Sequence, residues 1–214
     1  MSASPHHPYH PIIYVRGFAA TQGEIEETVA DPYMGFNIGS TKSRMAWTGD
    51  VKRFFFESPL VRLMNDHGYF DVFEDGEDLV ATERTDRPIP YRCIVIHRYY
   101  DEASKDFGSG ETPPIEHFAR GLDRLILRLR DKICANPKNG VTLDDFRVYL
   151  VAHSMGGLVC RAFLQNPAIG SAEARRAVDK VFTYATPHNG IDMRIVRNIP
   201  GWMTFGDVNN FNRE

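Results

Sequence analysis

Four short apolar runs stand out along the chain: Ile12-Ile13-Tyr14-Val15, Cys93-Ile94-Val95-Ile96, Val148-Tyr149-Leu150-Val151 and Val181-Phe182-Thr183-Tyr184. They are nearly continuous rather than alternating, the pattern of strands covered on both faces in a parallel sheet. Between the second and third, Ile115, Phe118, Ala119, Leu122, Leu125, Ile126, Leu129 and Ile133 recur at three- and four-residue spacing. Together they form one apolar stripe, which predicts a long amphipathic helix. Glu116 and Arg120 lie four apart on its other face, and Pro113-Pro114 mark its start. A second helix is expected from about Met155 to Asn166, stopped by Pro167, because the residue before a proline avoids the helical region. Strand, helix, strand, helix, strand predicts an α/β fold: a mostly parallel β-sheet with flanking helices and right-handed crossovers.

Residues 19–90 break this rhythm. They are rich in Gly, Asp and aromatics, and only one stretch, about 59–67, reads as a helix, with Leu60, Leu63 and Met64 on one face. The rest reads as a long elaborated connection with short strands. Connections of that length are usually functional or lid-like; equally, these aromatics can add a layer to the core. Residues 1–11 alternate histidine and proline (His6, His7, Pro8, His10, Pro11) and are expected to be a flexible N-terminal tail rather than a metal site, since Pro-rich chain does not preorganise ligands. Residues 12–214 are expected to form a single domain. The polar stretch 206–214 supplies no closing helix, so the domain is expected to be truncated at its C-terminus, lacking the last strands of its fold.

Composition narrows the function. A chain of 214 residues, 43% hydrophobic, can bury one core comprising about 70% of its unfolded surface. The net charge of −3 lacks the basic footprint of a nucleic-acid binder. No apolar run nears the ~20 residues that span a membrane. The N-terminus has no apolar signal core, so a cytoplasmic location is expected. Cys93, Cys134 and Cys160 are far apart and read as free thiols. The chain has no Gly-x-Gly-x-x-Gly after a strand, no Gly-x-x-x-x-Gly-Lys-Ser/Thr and no His-Glu-x-x-His. No cofactor and no metal are therefore expected. The acidic run Asp71, Glu74, Asp75, Glu77, Asp78 is expected to be a solvated loop.

The strongest chemical signal is Val151-Ala152-His153-Ser154-Met155-Gly156-Gly157. A strand ends, a serine follows, and a helix begins at once. This is the context of a nucleophile elbow, Gly-x-Ser-x-Gly, with alanine in the first glycine place. A sharp turn of this kind requires tiny residues two before and two after the serine, which Ala152 and Gly156 supply. Ser154 is the expected nucleophile. The amide of Met155, at a helix N-terminus, is an expected oxyanion donor. A second donor is expected from the glycine turn Val15-Arg16-Gly17-Phe18 after the first strand, at the amide of Phe18.

Here the chain resembles the α/β-hydrolase superfamily, in its bacterial lipase/esterase branch. Ala-His-Ser-Met-Gly-Gly is similar to the elbow of small bacterial lipases that also carry alanine first. Ile-Ile-Tyr-Val-Arg-Gly-Phe resembles the family's oxyanion strand and loop, with Arg16 where a histidine is usual. Ala-Thr-Pro-His-Asn-Gly, residues 185–190, resembles a segment that often follows the next strand. The resemblance spans residues 12–190 and implies hydrolysis of a small-molecule or lipid ester, with an aromatic-rich acyl pocket formed around residues 31–60.

A triad requires Ser, then Asp/Glu, then His in chain order. His188 is the only histidine after Ser154. Three readings stay open: the base and acid lie beyond residue 214; His188 is the base, oriented by Asp179 or Asp192, or supports the pocket; or the chain is a non-catalytic binding or scaffold module. His153 is expected to pack away from the serine, and His97 to be structural. Oligomeric state is not legible.

Overall fold

In the computed structural model, residues 6–17, 22–31, 34, 41–45, 47, 48, 51–55, 59–74, 77–82, 87–111 and 113–189 are described. The strands are β1 (Ile12–Val15), β2 (Thr41–Met45), β3 (Val51–Phe55), β4 (Phe70–Asp71), β5 (Phe73–Glu74), β6 (Glu77–Asp78), β7 (Cys93–Ile96), β8 (Val148–His153) and β9 (Val178–Tyr184). The α-helices are α1 (Gln22–Ala30), α2 (Pro59–His67), α3 (Ile115–Ala135), α4 (Met155–Gln165) and α5 (Ala172–Ala177).

The main sheet has five strands in the order β4-β7-β1-β8-β9, all parallel. The continuous apolar runs have the predicted consequence. Every residue of β1 and β7 is buried, because helices and connections cover both faces of the sheet centre. From β1 the chain passes to β7 on one side, then returns through α3 to β8 on the other side. The direction of winding reverses at β1, and in open α/β sheets the carboxyl ends at such a reversal frame the ligand crevice.

The predicted stripe of α3 is the buried one: Phe118, Ala119, Leu122, Ile126, Leu129 and Ile133 face the core. The helix starts after Pro114, as expected. It packs on α4 and α5, and α4 in turn packs on β1 and β8. Gly121 lets α3 approach β7 closely, since a Cβ there would stand 3.3 Å from the His97 ring. Helix α5 carries no apolar period long enough to predict. It is fixed by its cap, where the Ser171 hydroxyl accepts from Ala174 N at 3.2 Å and itself donates to Asp123 at 2.8 Å.

Within residues 19–90, β2 and β3 form an antiparallel hairpin and β5 and β6 a second one, while β4 joins the main sheet beside β7. The acidic run is more built than a solvated loop. Asp71 accepts from Phe73 N at 3.0 Å and Asp78 from Val80 N at 2.8 Å, so each closes a turn. Burial holds the Asp78 carboxyl above its usual range.

Two features depart from the pattern. The segment read as a free tail is docked from residue 6 onward. His10 is buried, bonded to the Tyr91 hydroxyl at 2.8 Å, and its carbonyl accepts from Tyr69. His6 stacks on Tyr91 at 4.1 Å. Aromatic rings at the amino end of the sheet supply the partners that the sequence could not show. The second departure is β9. Its apolar run predicts burial on both faces, yet Phe182 is 63% exposed and Val181 and Tyr184 are each 38% exposed. It is the outer strand of the sheet among the described residues.

Candidate active site

The carboxyl ends of β1 and β8 converge on Ser154. This residue links β8 directly to α4, with φ 50° and ψ −123°. A side chain at that backbone position is strained by its own Cβ. The turn survives because its neighbours leave it room. A Cβ on Gly156 would stand 2.2 Å from the Val15 carbonyl oxygen, and one on Gly17 2.7 Å from Ser154 Cβ. The two glycine positions therefore let β1, the Arg16–Gly17 turn and the start of α4 close on one another. Ser154 N donates to Tyr184 O at 3.0 Å, which ties the turn to β9.

The Ser154 side chain does not cap α4. Its hydroxyl makes no hydrogen bond among the described residues and is partly accessible. The first amides of α4, Met155 among them, are donors that the helix itself leaves unpaired, and the helix dipole favours negative charge beside them. Met155 is buried. Phe18, the other sequence-expected donor, lies outside the described residues; the preceding Gly17 packs directly against the serine.

His188 is held elsewhere. Its Nε2 lies 3.3 Å from Thr183 Oγ1, its N–H donates to Thr186 O, and its carbonyl accepts from Arg161 at 2.8 Å. No hydrogen bond joins it to Ser154 among the described residues. It lines a shallow pocket of about 290 Å³ with Cys160, Arg161 and Leu164, on the flank of α4 beside β9. Of its suggested orienting acids, Asp179 pairs with Lys180 at 3.0 Å, and Asp192 lies outside the described residues.

His153 stacks on Tyr184 at 4.9 Å between ring centres, and its Nδ1, like Ser154 Cβ, closes on Gly17. Burial, and then the Arg16 charge, hold the His153 pKa below the usual value. His97 is structural, as expected. It is buried, its Nε2 bonds Phe118 O at 3.1 Å, and burial lowers its pKa to about 4. His10 is lowered to about 4 for the same reason. A histidine with a depressed folded pKa resists protonation in the native state, whereas the unfolded chain takes up its proton near pH 6.5. Stability from these two groups is present above pH 6.5 and is lost as the pH falls toward 4, at up to about 1.4 kcal/mol per unit for a fully buried group. We expect Tm to drop between pH 7 and pH 5, and His97→Gln to drop less over that interval. Equal pH dependence in thermal melts of the two proteins would overturn this account.

The contacts of three residues escaped the sequence reading. Arg16 donates to the Met34 carbonyl. Arg98, fixed by Asp101 at 3.0 Å, donates to Val29 O at 2.6 Å and Asp31 O at 3.3 Å. The Tyr99 hydroxyl donates to Arg16 O at 2.5 Å. Two arginines at the carboxyl ends of β1 and β7 thus tether Val29, Asp31 and Met34 across the same end of the sheet as Ser154. Among the described residues no group of His, Cys, Asp and Glu could hold a metal ion, and no helix is long and apolar enough to cross a membrane. The three cysteines are free, and burial pushes the Cys160 thiol up to about 12, which removes it as a competing nucleophile.

A family model, that of the PGAP1-like alpha/beta domain, matches residues 124–211. The matched stretch begins within α3 and takes in β8, the serine turn, α4 and β9. It points to a hydrolase-like α/β fold, in agreement with the all-parallel sheet. No curated protein and no solved structure matches the chain.

Proposed function

We propose that this chain carries the nucleophile and oxyanion site of a serine hydrolase acting on carboxylic esters, of the lipase/esterase kind. The observation that carries the reading is Ser154 itself: a strained, uncapped serine at the junction of a parallel strand and a helix N-terminus. Strain of this kind persists only where the surroundings impose it, and it clusters at functional sites.

In this reading Ser154 Oγ attacks the acyl carbonyl carbon and gives its proton to a general base. The carbonyl oxygen becomes an oxyanion held by the amides of Met155 and Phe18, each donor contributing roughly 3–4 kcal/mol to the transition state. Collapse expels the alcohol, which takes the proton back from the base, and leaves an acyl-enzyme. Water, deprotonated by the same base, then releases the acid and restores the serine. The base and its orienting acid are assigned beyond residue 214, because His188 is engaged with Thr183 and Arg161 rather than with Ser154. His188 then supports the loop after β9. The substrate is a small-molecule or lipid ester, and a cytoplasmic setting belongs to the same proposal.

Fluorophosphonate labelling tests this reading, since the reagent bonds covalently only to an activated serine. Peptide mapping is expected to place the label on Ser154 in the full-length protein and to find none in Ser154→Ala. A folded full-length protein that takes no label would instead favour a non-catalytic binding module on this fold. Labelling of residues 1–214 alone would return His188 to the role of base.

A further inference from the structure

The Arg16–Gly17 turn forms one wall of the Ser154 site, and nothing in its own sequence makes it rigid. Gly17 has no side chain to anchor it and can adopt many backbone conformations. Its place against Ser154 Cβ and His153 therefore has to be imposed from outside the turn. Tyr99, the first residue of a 3₁₀ turn (Tyr99–Ala103) after β7, is positioned to impose it. Its ring is buried and clasped by His97 at 5.3 Å, Tyr100 at 4.5 Å and Phe118 at 4.6 Å. These contacts fix the ring to β7 and to the first turns of α3. From there its hydroxyl reaches over β1, donating to Arg16 O at 2.5 Å, with Gly17 O at 3.5 Å.

We infer that Tyr99 is a positioning residue for the serine site, its hydroxyl holding the Arg16–Gly17 turn against Ser154. The inference rests on the reading of Ser154 as a nucleophile. Both carbonyls of the turn converge on one hydroxyl, so the two peptide planes are set together. Arg16 complements this from the other side, its carbonyl held by Tyr99 while its guanidinium reaches Met34 O.

The test is Tyr99→Phe in the full-length protein, which keeps the ring and removes only the hydroxyl. The matched control is Tyr91→Phe. That hydroxyl is also engaged, with His10 at 2.8 Å and Arg147 O at 3.3 Å, but at the amino end of the sheet. With an aryl acetate, Tyr99→Phe is expected to lower kcat by about 10–100-fold with KM changed less than about twofold. The fluorophosphonate labelling rate of Ser154 should fall in proportion. Tyr91→Phe is expected to lower Tm by a similar amount while leaving kcat as in the wild type. An active wild type with unchanged kcat in Tyr99→Phe would overturn the inference alone. Equal kcat losses in both variants would do the same, since the effect would then be general loosening. A folded wild type inert to both reagents would overturn the serine reading and this inference together.

Discussion

Ser154→Ala is expected to reduce ester turnover by on the order of 10⁴-fold or more and to leave the fold intact; Ser154→Gly is expected to abolish turnover equally while raising Tm. The two variants separate chemistry from strain. Both remove the hydroxyl. Alanine keeps the Cβ at φ 50° and ψ −123°, so it keeps the strain. Glycine removes the Cβ and with it about 1–3 kcal/mol of backbone strain, offset by about 0.5–1 kcal/mol of added chain entropy. A net gain of about 1 kcal/mol corresponds to roughly 2–4 °C in a chain of this size. Aryl-ester assays and thermal melts on the three proteins read both effects. Turnover retained in Ser154→Ala would remove the serine from the mechanism. A Tm for Ser154→Gly at or below that of Ser154→Ala would mean that the turn stores no strain.

The second large effect is on stability, at Gly156. A Cβ there would stand 2.2 Å from Val15 O and 2.5 Å from Arg16 O. Both atoms are backbone and belong to the central strand and the turn after it, so neither can rotate aside. Gly156→Ala must lift the start of α4 off the sheet. Overpacking of this sort costs about 3 kcal/mol, or roughly 6–12 °C in Tm. Turnover should fall with it, because the Met155 amide moves with the helix. Gly157 offers the contrast. There the added Cβ would meet Thr186 Oγ1 at 2.1 Å. Thr186 Cγ2 and Cβ would stand at 2.5 and 2.8 Å as well, so rotation alone does not clear the space and the loop after β9 that carries Thr186 must shift; its buried hydroxyl has no hydrogen-bond partner among the described residues to lose. Gly157→Ala is therefore expected to cost less than Gly156→Ala in chemical denaturation. The reverse order would show that α4 can shift on the sheet more freely than its close approach to β1 implies.

The centre of the fold is written in local patterns of the amino-acid sequence. β1, β7, β8, α3 and α4 were legible because each is a run long enough for its period to show, and because burial on both faces leaves few residue choices. The turn at Ser154 was legible for a related reason. A strand, a serine and a helix within a few residues, flanked by Ala152 and Gly156, describe a turn whose geometry is local. Helices α1 and α5 and the small hairpins were not legible, since short elements draw their stability from what they touch rather than from their own pattern.

The remaining features follow from how the elements pack together. The His/Pro-rich start docks from residue 6 because Tyr69, Tyr91 and Tyr149 meet at the amino end of the sheet, and no local pattern announces that meeting. The run in β9 is the same in kind as those in the other strands, yet its position at the outside of the described sheet leaves it exposed. His188 stood in plausible chain order for a base, but Thr183 and Arg161 draw it to the flank of α4. Tyr99 and Arg16 are 83 positions apart. Local periodicity encodes which elements form and which face of each is apolar, whereas the partners of a hydroxyl or an imidazole are set by how those elements are stacked.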